Sequence, residues 1–189
     1  MHVITVAKEI VLVGRSNVGK STLFKQLTGK KVRVGRRPGI TRKPYKAKFG
    51  NVLLVDMPGF GFMKNLSKVA QKRNKESIVE YFENKKEDIL LVVQVIDAAS
   101  FIDIVQRWES RDEIPSELEL YEFLSDLGLD VIVAANKMDR IANPEETLDQ
   151  IVEKLGMLPP WRQWLDRVAP ISAKKGEIES LRNILRECL

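Results

Sequence analysis

Six short runs of β-forming residues, separated by segments of helical period, constrain the fold of this chain more than any other feature. Residues 9–13, 52–55, 89–96, 130–134 and 167–171 are rich in Val, Ile and Leu and are bounded by polar residues, Gly or Pro. Apolar runs of this length, without alternation, mark strands buried on both faces of a parallel sheet. Residues 45–49 instead alternate aromatic or Ala with Lys, which suits an edge strand with one wet face. Helical patterns fill the gaps at 18–27, 69–82 and 116–127. A further helix is expected to begin at Pro144, capped by Asn143 and favoured by Glu145 and Glu146 in its first turn. The last helix is expected to place Ile178, Leu181, Ile184, Leu185 and Cys188 on one face. Strands alternating with helices predict a three-layer α/β fold: a mostly parallel six-stranded sheet with helices on both faces. At 189 residues with no linker-like tract, residues 1–189 are expected to form one domain. Ligands of such sheets bind at the carboxyl ends of the strands.

The motifs fall at those ends. Gly14, Arg15, Ser16, Asn17, Val18, Gly19, Lys20 and Ser21 follow the first strand and open the first helix, in the pattern of a phosphate-binding P-loop. Glycines let successive N–H groups turn inward around phosphate oxygens, aided by the helix N-terminus. Lys20 would reach the β- and γ-phosphates, the Ser21 hydroxyl would bind Mg²⁺, and Thr22 completes the loop. Asp56-Met57-Pro58-Gly59 ends the third strand, thirty-five residues after Ser21. Asp56 would hold Mg²⁺ and the Gly59 amide would meet the γ-phosphate. Thr41 is the candidate second hydroxyl ligand of Mg²⁺, unless it is an ordinary surface-loop threonine. Lys20, Thr41 and Gly59 are the expected contributors to phosphate chemistry.

Asn136-Lys137-Met138-Asp139 follows the fifth strand and speaks to the choice of base. Guanine offers N1–H and N2–H₂ donors that one carboxylate accepts together, so Asp139 suits guanine; adenine would leave it unpaired. Asn136 would tie this loop to the base edge and to the phosphate loop, and the apolar stem of Lys137 can lie over the ring. Ser172-Ala173-Lys174 follows the last strand; the Ala173 amide would meet the guanine carbonyl and Lys174 would flank the opposite face. The four motifs in this order imply a site for GTP and GDP with Mg²⁺.

Composition narrows the setting. The only histidine is His2 and the only cysteine Cys188, which excludes a histidine-based mechanism and an intrachain disulfide and fits a reducing cytoplasm. No apolar run reaches the length of a membrane span, and neither Met1-His2 nor Glu187-Cys188-Leu189 is a lipidation signal. No membrane association is expected. The net charge of +5 hides an asymmetry: residues 1–75 carry eighteen Lys or Arg against Glu9 and Asp56, whereas residues 76–189 carry thirteen basic and twenty-four acidic residues. Such segregation attracts a polyanion to one surface.

The segments GRSNVGKS at 14–21, Pro38-Gly39-Ile40-Thr41 and above all DMPGFGF at 56–62 resemble the EngB (YihA) family of Era-like P-loop GTPases. The resemblance spans nearly the whole chain. It implies the P-loop GTPase fold, slow intrinsic hydrolysis and a role in ribosome (large subunit) assembly. The chain departs from the family in three places. Asn136 stands where the family has Thr; the Asp-x-Arg-His-x-Pro segment is absent after Asp97; and the stretch 98–120 is longer than usual.

In Ras-like GTPases a glutamine after Asp-x-x-Gly orients the attacking water. Here that position is Phe60, either a hydrophobic plug or a site that a partner completes. The resemblance gives Asn17 a possible role in binding K⁺ beside the phosphates; the alternative is that it stabilises the loop backbone. Residues 30–48 and 57–75 are the expected switch segments, and they carry the densest basic charge, including Arg36, Arg37, Lys43, Lys64 and Lys72. One nucleotide does not require so many cations, so ribosomal RNA or a ribosomal subunit is the expected partner of a monomeric switch. The competing expectation is a protein-binding regulatory GTPase in signalling or traffic with no RNA partner.

Overall fold

The computed structural model describes residues 7–30, 44–60 and 67–189. Six strands lie in one sheet: β1 (Glu9–Val13), β2 (Tyr45–Phe49), β3 (Val52–Asp56), β4 (Ile89–Asp97), β5 (Val131–Asn136) and β6 (Val168–Pro170). Their order is β2-β3-β1-β4-β5-β6, with β2 antiparallel to β3 and the remaining neighbours parallel. The helices are α1 (Lys20–Thr28), α2 (Lys68–Lys85), α3 (Phe101–Glu109), α4 (Ser116–Asp126), α5 (Pro144–Lys154) and α6 (Glu179–Cys188).

The two-residue period of the strands sorts the core into two layers. Ile10 and Leu12 of β1 point to the face covered by Leu23 and Phe24 of α1 and by Leu181, Ile184 and Leu185 of α6. Val11 and Val13 point the other way, to Ile78 and Phe82 of α2 and Leu120 and Leu124 of α4. Farther along the same face, Phe101 and Val105 of α3 meet Leu148, Ile151 and Val152 of α5. The expected three-layer architecture is therefore the observed one. Phe24 is fully buried and meets Tyr45 edge-on with centroids 5.4 Å apart. Its truncation to Ala would cost about 3–5 kcal/mol.

Local differences from the sequence reading have physical causes. The stretch 98–120 contains a separate helix, α3, because Phe101 and Val105 lie one turn apart and both reach the core. Asn143 sits at the N-cap of α5 without capping it; its amide donates to Glu146 Oε2 at 2.7 Å instead. Cys188 closes α6 but is exposed, since the buried stripe ends at Leu185. Among the described residues no helix is long and apolar enough to cross a membrane.

Candidate functional site

The loop between β1 and α1 keeps its shape because two of its positions admit only glycine. Gly14 has φ 149°, and a Cβ there would stand 2.2 Å from the Val95 carbonyl oxygen. Gly19, at φ 106°, would drive a Cβ to 2.3 Å from Asn136 Nδ2. Asn17 is the one non-glycine in this loop with positive φ, at 68°, and it is exposed. Asparagine tolerates that region better than most side chains.

Lys20 opens α1 with its side chain buried, donating to the carbonyls of Gly14 at 2.8 Å and Arg15 at 2.7 Å. Burial pushes the Lys20 ammonium down to about 8, against the attraction of Asp56. Next to it, Ser21 Oγ donates to Asp56 Oδ2 at 2.6 Å, with Asp56 wholly buried. Burial raises the Asp56 carboxyl, while the Ser21 hydrogen bond and the Lys20 charge oppose the rise. Among the described residues Asp56 Oδ1 has no partner. A buried carboxylate oxygen without a donor, beside a serine hydroxyl, fits a hard cation that fills the rest of its shell with water and phosphate oxygens. Among the described residues no cluster of three acidic, His or Cys side chains could hold a metal ion. Thr41, the other candidate ligand, lies outside the described residues, as do 31–43 and 61–66 of the two switch segments.

Gly59 lies directly against this loop; a Cβ on it would stand 2.7 Å from Ser16 Cα. The contact continues the β1–β3 pairing past the strand ends. The Ser16 N–H donates to the Phe60 carbonyl at 3.0 Å, and the Phe60 N–H reaches the Gly14 carbonyl at 3.4 Å. The Phe60 ring is buried among Val11, Val13, Met57, Ile78 and Phe82. Of the two expectations for Phe60, the structure shows the plug. Asn74 of α2 donates to the Gly59 carbonyl at 2.7 Å, a contact that no sequence pattern marked.

The base-recognition motifs are joined to the phosphate loop by one side chain. Asn136, at the end of β5 and 3% exposed, donates through Nδ2 to the Val18 carbonyl at 2.7 Å. Its Oδ1 accepts from the Ala173 N–H at 2.9 Å. That N–H, expected to face the base, is here engaged by Asn136. Ser172 Oγ accepts from the Asp139 N–H at 3.0 Å, leaving Asp139 at the surface. Gln26 of α1 donates to the Ala173 carbonyl at 3.1 Å. Lys137 adopts φ 69° and pairs with Asp97 at the end of β4. Asp97 closes β4, and nothing local in the sequence named its partner. Thr22 is half-buried in α1, and Lys174 is exposed beyond Ala173. The structure thus brings Gly14, Arg15, Ser16, Val18, Gly19, Lys20, Ser21, Asp56 and Gly59 together with Asn136, Ser172 and Ala173 at the carboxyl ends of the strands.

A family model described as "50S ribosome-binding GTPase" matches residues 9–137. A protein of Methanopyrus kandleri named "Probable GTP-binding protein EngB" is 51% identical over 189 residues, covering 95% of this chain and 93% of the relative. The crystal structure of a probable GTP-binding protein engB superimposes with a TM-score of 0.87 at 45% identity, covering 95% of this chain and 97% of that one. Era in complex with MgGDPNP and nucleotides 1506–1542 of 16S ribosomal RNA is similar at a TM-score of 0.66 and 29% identity, across 95% of this chain and 55% of Era.

Proposed function

The chain belongs to the EngB family of P-loop GTPases, and we propose that it is a slow GTP-hydrolysing switch, acting in the cytoplasm, whose GTP-bound form docks on RNA of the large ribosomal subunit during assembly. The observation that carries the nucleotide reading is the buried Asn136 amide, which holds the phosphate loop and the base loops in one frame. In this reading residues 14–21 wrap the phosphates, with Lys20 opposite the β- and γ-phosphates. Asp139 accepts the two guanine donors between the Lys137 stem and Lys174. Ser21, Asp56 and Thr41 hold Mg²⁺, which when bound neutralises charge on the β- and γ-phosphate oxygens. For the Ser16 N–H to turn to a phosphate oxygen, its bond to the Phe60 carbonyl must open. Nucleotide state would thereby be coupled to the segment after Asp56.

Phe60 gives the reason for slow turnover. Its ring is hydrocarbon and buried, so it cannot orient water as the glutamine of Ras-like enzymes does. The RNA reading is supported by the charge asymmetry between 1–75 and 76–189, by the family description and by the RNA-bound Era relative. Co-sedimentation with ribosomal subunits tests it. Binding should be stronger with a non-hydrolysable GTP analogue than with GDP and should weaken steeply with salt, because each phosphate contact releases counterions. Charge reversal at Arg36, Arg37 and Lys43 should weaken it while GTP affinity stays within a few-fold. Equal binding in both nucleotide states, or a flat salt response, would leave the protein-binding switch as the surviving reading.

A further inference from the structure

Most of the phosphate loop faces inward, but one side chain leaves it. Arg15 reaches away to α4, where its Nη1 donates to Glu117 Oε1 at 3.1 Å. The pair spans 102 residues of sequence. Arg15 is about one-fifth exposed, yet the Glu117 carboxylate is almost completely buried, at 4%. A carboxylate this deep must be paired, and burying it unpaired would be strongly unfavourable. Two further features fix it there. Gln94 in the centre of β4 donates through Nε2 to the Glu117 carbonyl at 2.8 Å, and the first helical turn of α4 favours an acidic side chain. Among the described residues neither Glu117 Oε2 nor Gln94 Oε1 has any partner, so Arg15 is the one charge there that answers this carboxylate.

The pair does more than attach α4 to the sheet, because Arg15 has a second role through its backbone. Its carbonyl is one of the two that hold the Lys20 ammonium. The guanidinium and this carbonyl belong to one residue, so fixing the first restricts the second. We infer that Glu117 is a positioning residue for the phosphate loop: its carboxylate, acting through the Arg15 guanidinium, sets the place of the Arg15 carbonyl and hence of the Lys20 ammonium. This assigns a function to the long stretch 98–120, which delivers Glu117 to the loop. The same turn of α4 also holds α2, through Glu119 and Lys75 at 2.6 Å. The inference rests on the reading that residues 14–21 bind nucleotide phosphate.

The experiment titrates GDP and a non-hydrolysable GTP analogue against the full chain, Glu117→Gln, Arg15→Gln and the double variant, with thermal unfolding recorded for each. Each single change should weaken both nucleotides about tenfold, and the double variant should be no weaker than either, as expected for contacting residues that act as a unit. Glu117→Asp, which keeps the charge, should recover part of the loss. Unchanged nucleotide affinity in Glu117→Gln, even with a lowered unfolding temperature, would overturn the inference and leave a purely structural pair. Losses that multiply in the double variant would overturn it as well. Should Glu117→Gln fail to fold, Arg15→Gln, at the more exposed end of the pair, carries the same comparison. Lys20→Met separates the two levels: if it binds GTP as tightly as the unmodified chain, the phosphate-loop reading itself is wrong.

Discussion

The two halves of the site differ in where their hydrogen bonds go. In the base half they run between motifs. Asn136 bridges Val18 and Ala173, Ser172 holds the Asp139 amide, and Met138 N–H donates to the Ile171 carbonyl at 3.1 Å. In the phosphate half they occupy groups that would meet the ligand. Lys20 donates to carbonyls of its own loop, Ser21 donates to Asp56, the Ser16 amide is held by the Phe60 carbonyl, and among the described residues Asp56 Oδ1 is left without a donor. The base half is a frame held by the chain's own bonds, so binding there requires little ordering. The phosphate half must exchange the Ser21–Asp56 and Ser16–Phe60 bonds for bonds to the ligand, while the third Lys20 N–H is left for a phosphate oxygen. A ligand shifts a conformational equilibrium only through differential contacts with the two states, and those contacts are concentrated in the second half. Recognition and switching are therefore built from the same loops but from different bonds.

The largest expected effect breaks the frame's chemistry without moving it. Asp139→Asn replaces an acceptor by an amide that can donate to the 2-carbonyl of xanthine. Because the loop is fixed through backbone contacts, the mismatch with guanine cannot relax away, and preference for GTP over xanthosine triphosphate should reverse by roughly 10⁴-fold. Direct titration with both nucleotides checks it; an unchanged preference removes Asp139 from base recognition. Lys20→Met comes next. It should weaken GTP and GDP by roughly 10- to 150-fold, the range for a hydrogen bond to a charged group, while leaving the guanine-to-xanthine preference intact. A collapse of that preference would mean that the two halves are not separable.

What the sequence revealed follows the same division between local and distant contacts. The strands and motifs were legible because their causes are local: unbroken Val and Ile runs for buried strands, and Gly14 and Gly19 where no Cβ fits. Helix α3 was less visible, since Ser100 makes no side-chain cap and no glycine ends the helix at Ser110. Glu117 illustrates the limit. An acidic residue in a first helical turn ordinarily faces water, and only the fold reveals that Arg15, far away in the chain, buries it. Asn74 and Asp97 were hidden for the same reason, because their partners Gly59 and Lys137 stand on other elements.

The burial of Lys20 gives the phosphate half a pH response of its own. Its ammonium titrates near 8 rather than 10.5 because it is buried. Between those values the unfolded chain holds more protons than the folded one, so this group's contribution to ligand-free stability rises with pH across that window. Phosphate affinity moves the other way, since the charge that meets the phosphates is lost above about 8. GDP affinity should therefore fall by at most tenfold per pH unit there, and Lys20→Met should flatten the curve. Calorimetric titration with GDP, kept below the pH at which the guanine N1–H itself ionises, checks the sign for affinity, and thermal unfolding of the ligand-free chain over the same range checks the sign for stability. A slope that persists in the variant would place the titrating group elsewhere.

The smallest expected effect sharpens the comparison at the mouth of the phosphate half. Asn17 is exposed at φ 68°, so its carboxamide is free to approach a monovalent cation beside the phosphates. Its backbone conformation alone could also explain its presence. Asn17→Gly distinguishes the two, because glycine adopts positive φ at no steric cost and the change removes only the carboxamide. If the carboxamide helps hold K⁺, GTP turnover should be several-fold faster in K⁺ than in Na⁺ at constant ionic strength. The ratio should fall to one in the glycine variant, with nucleotide affinity little changed. A buried Phe60 makes this plausible chemistry, since charge brought near the phosphates substitutes for a side chain that orients water. Equal rates in the two salts for the unmodified chain would assign Asn17 to the loop's backbone alone, and would leave hydrolysis to whatever group a partner brings to the phosphates.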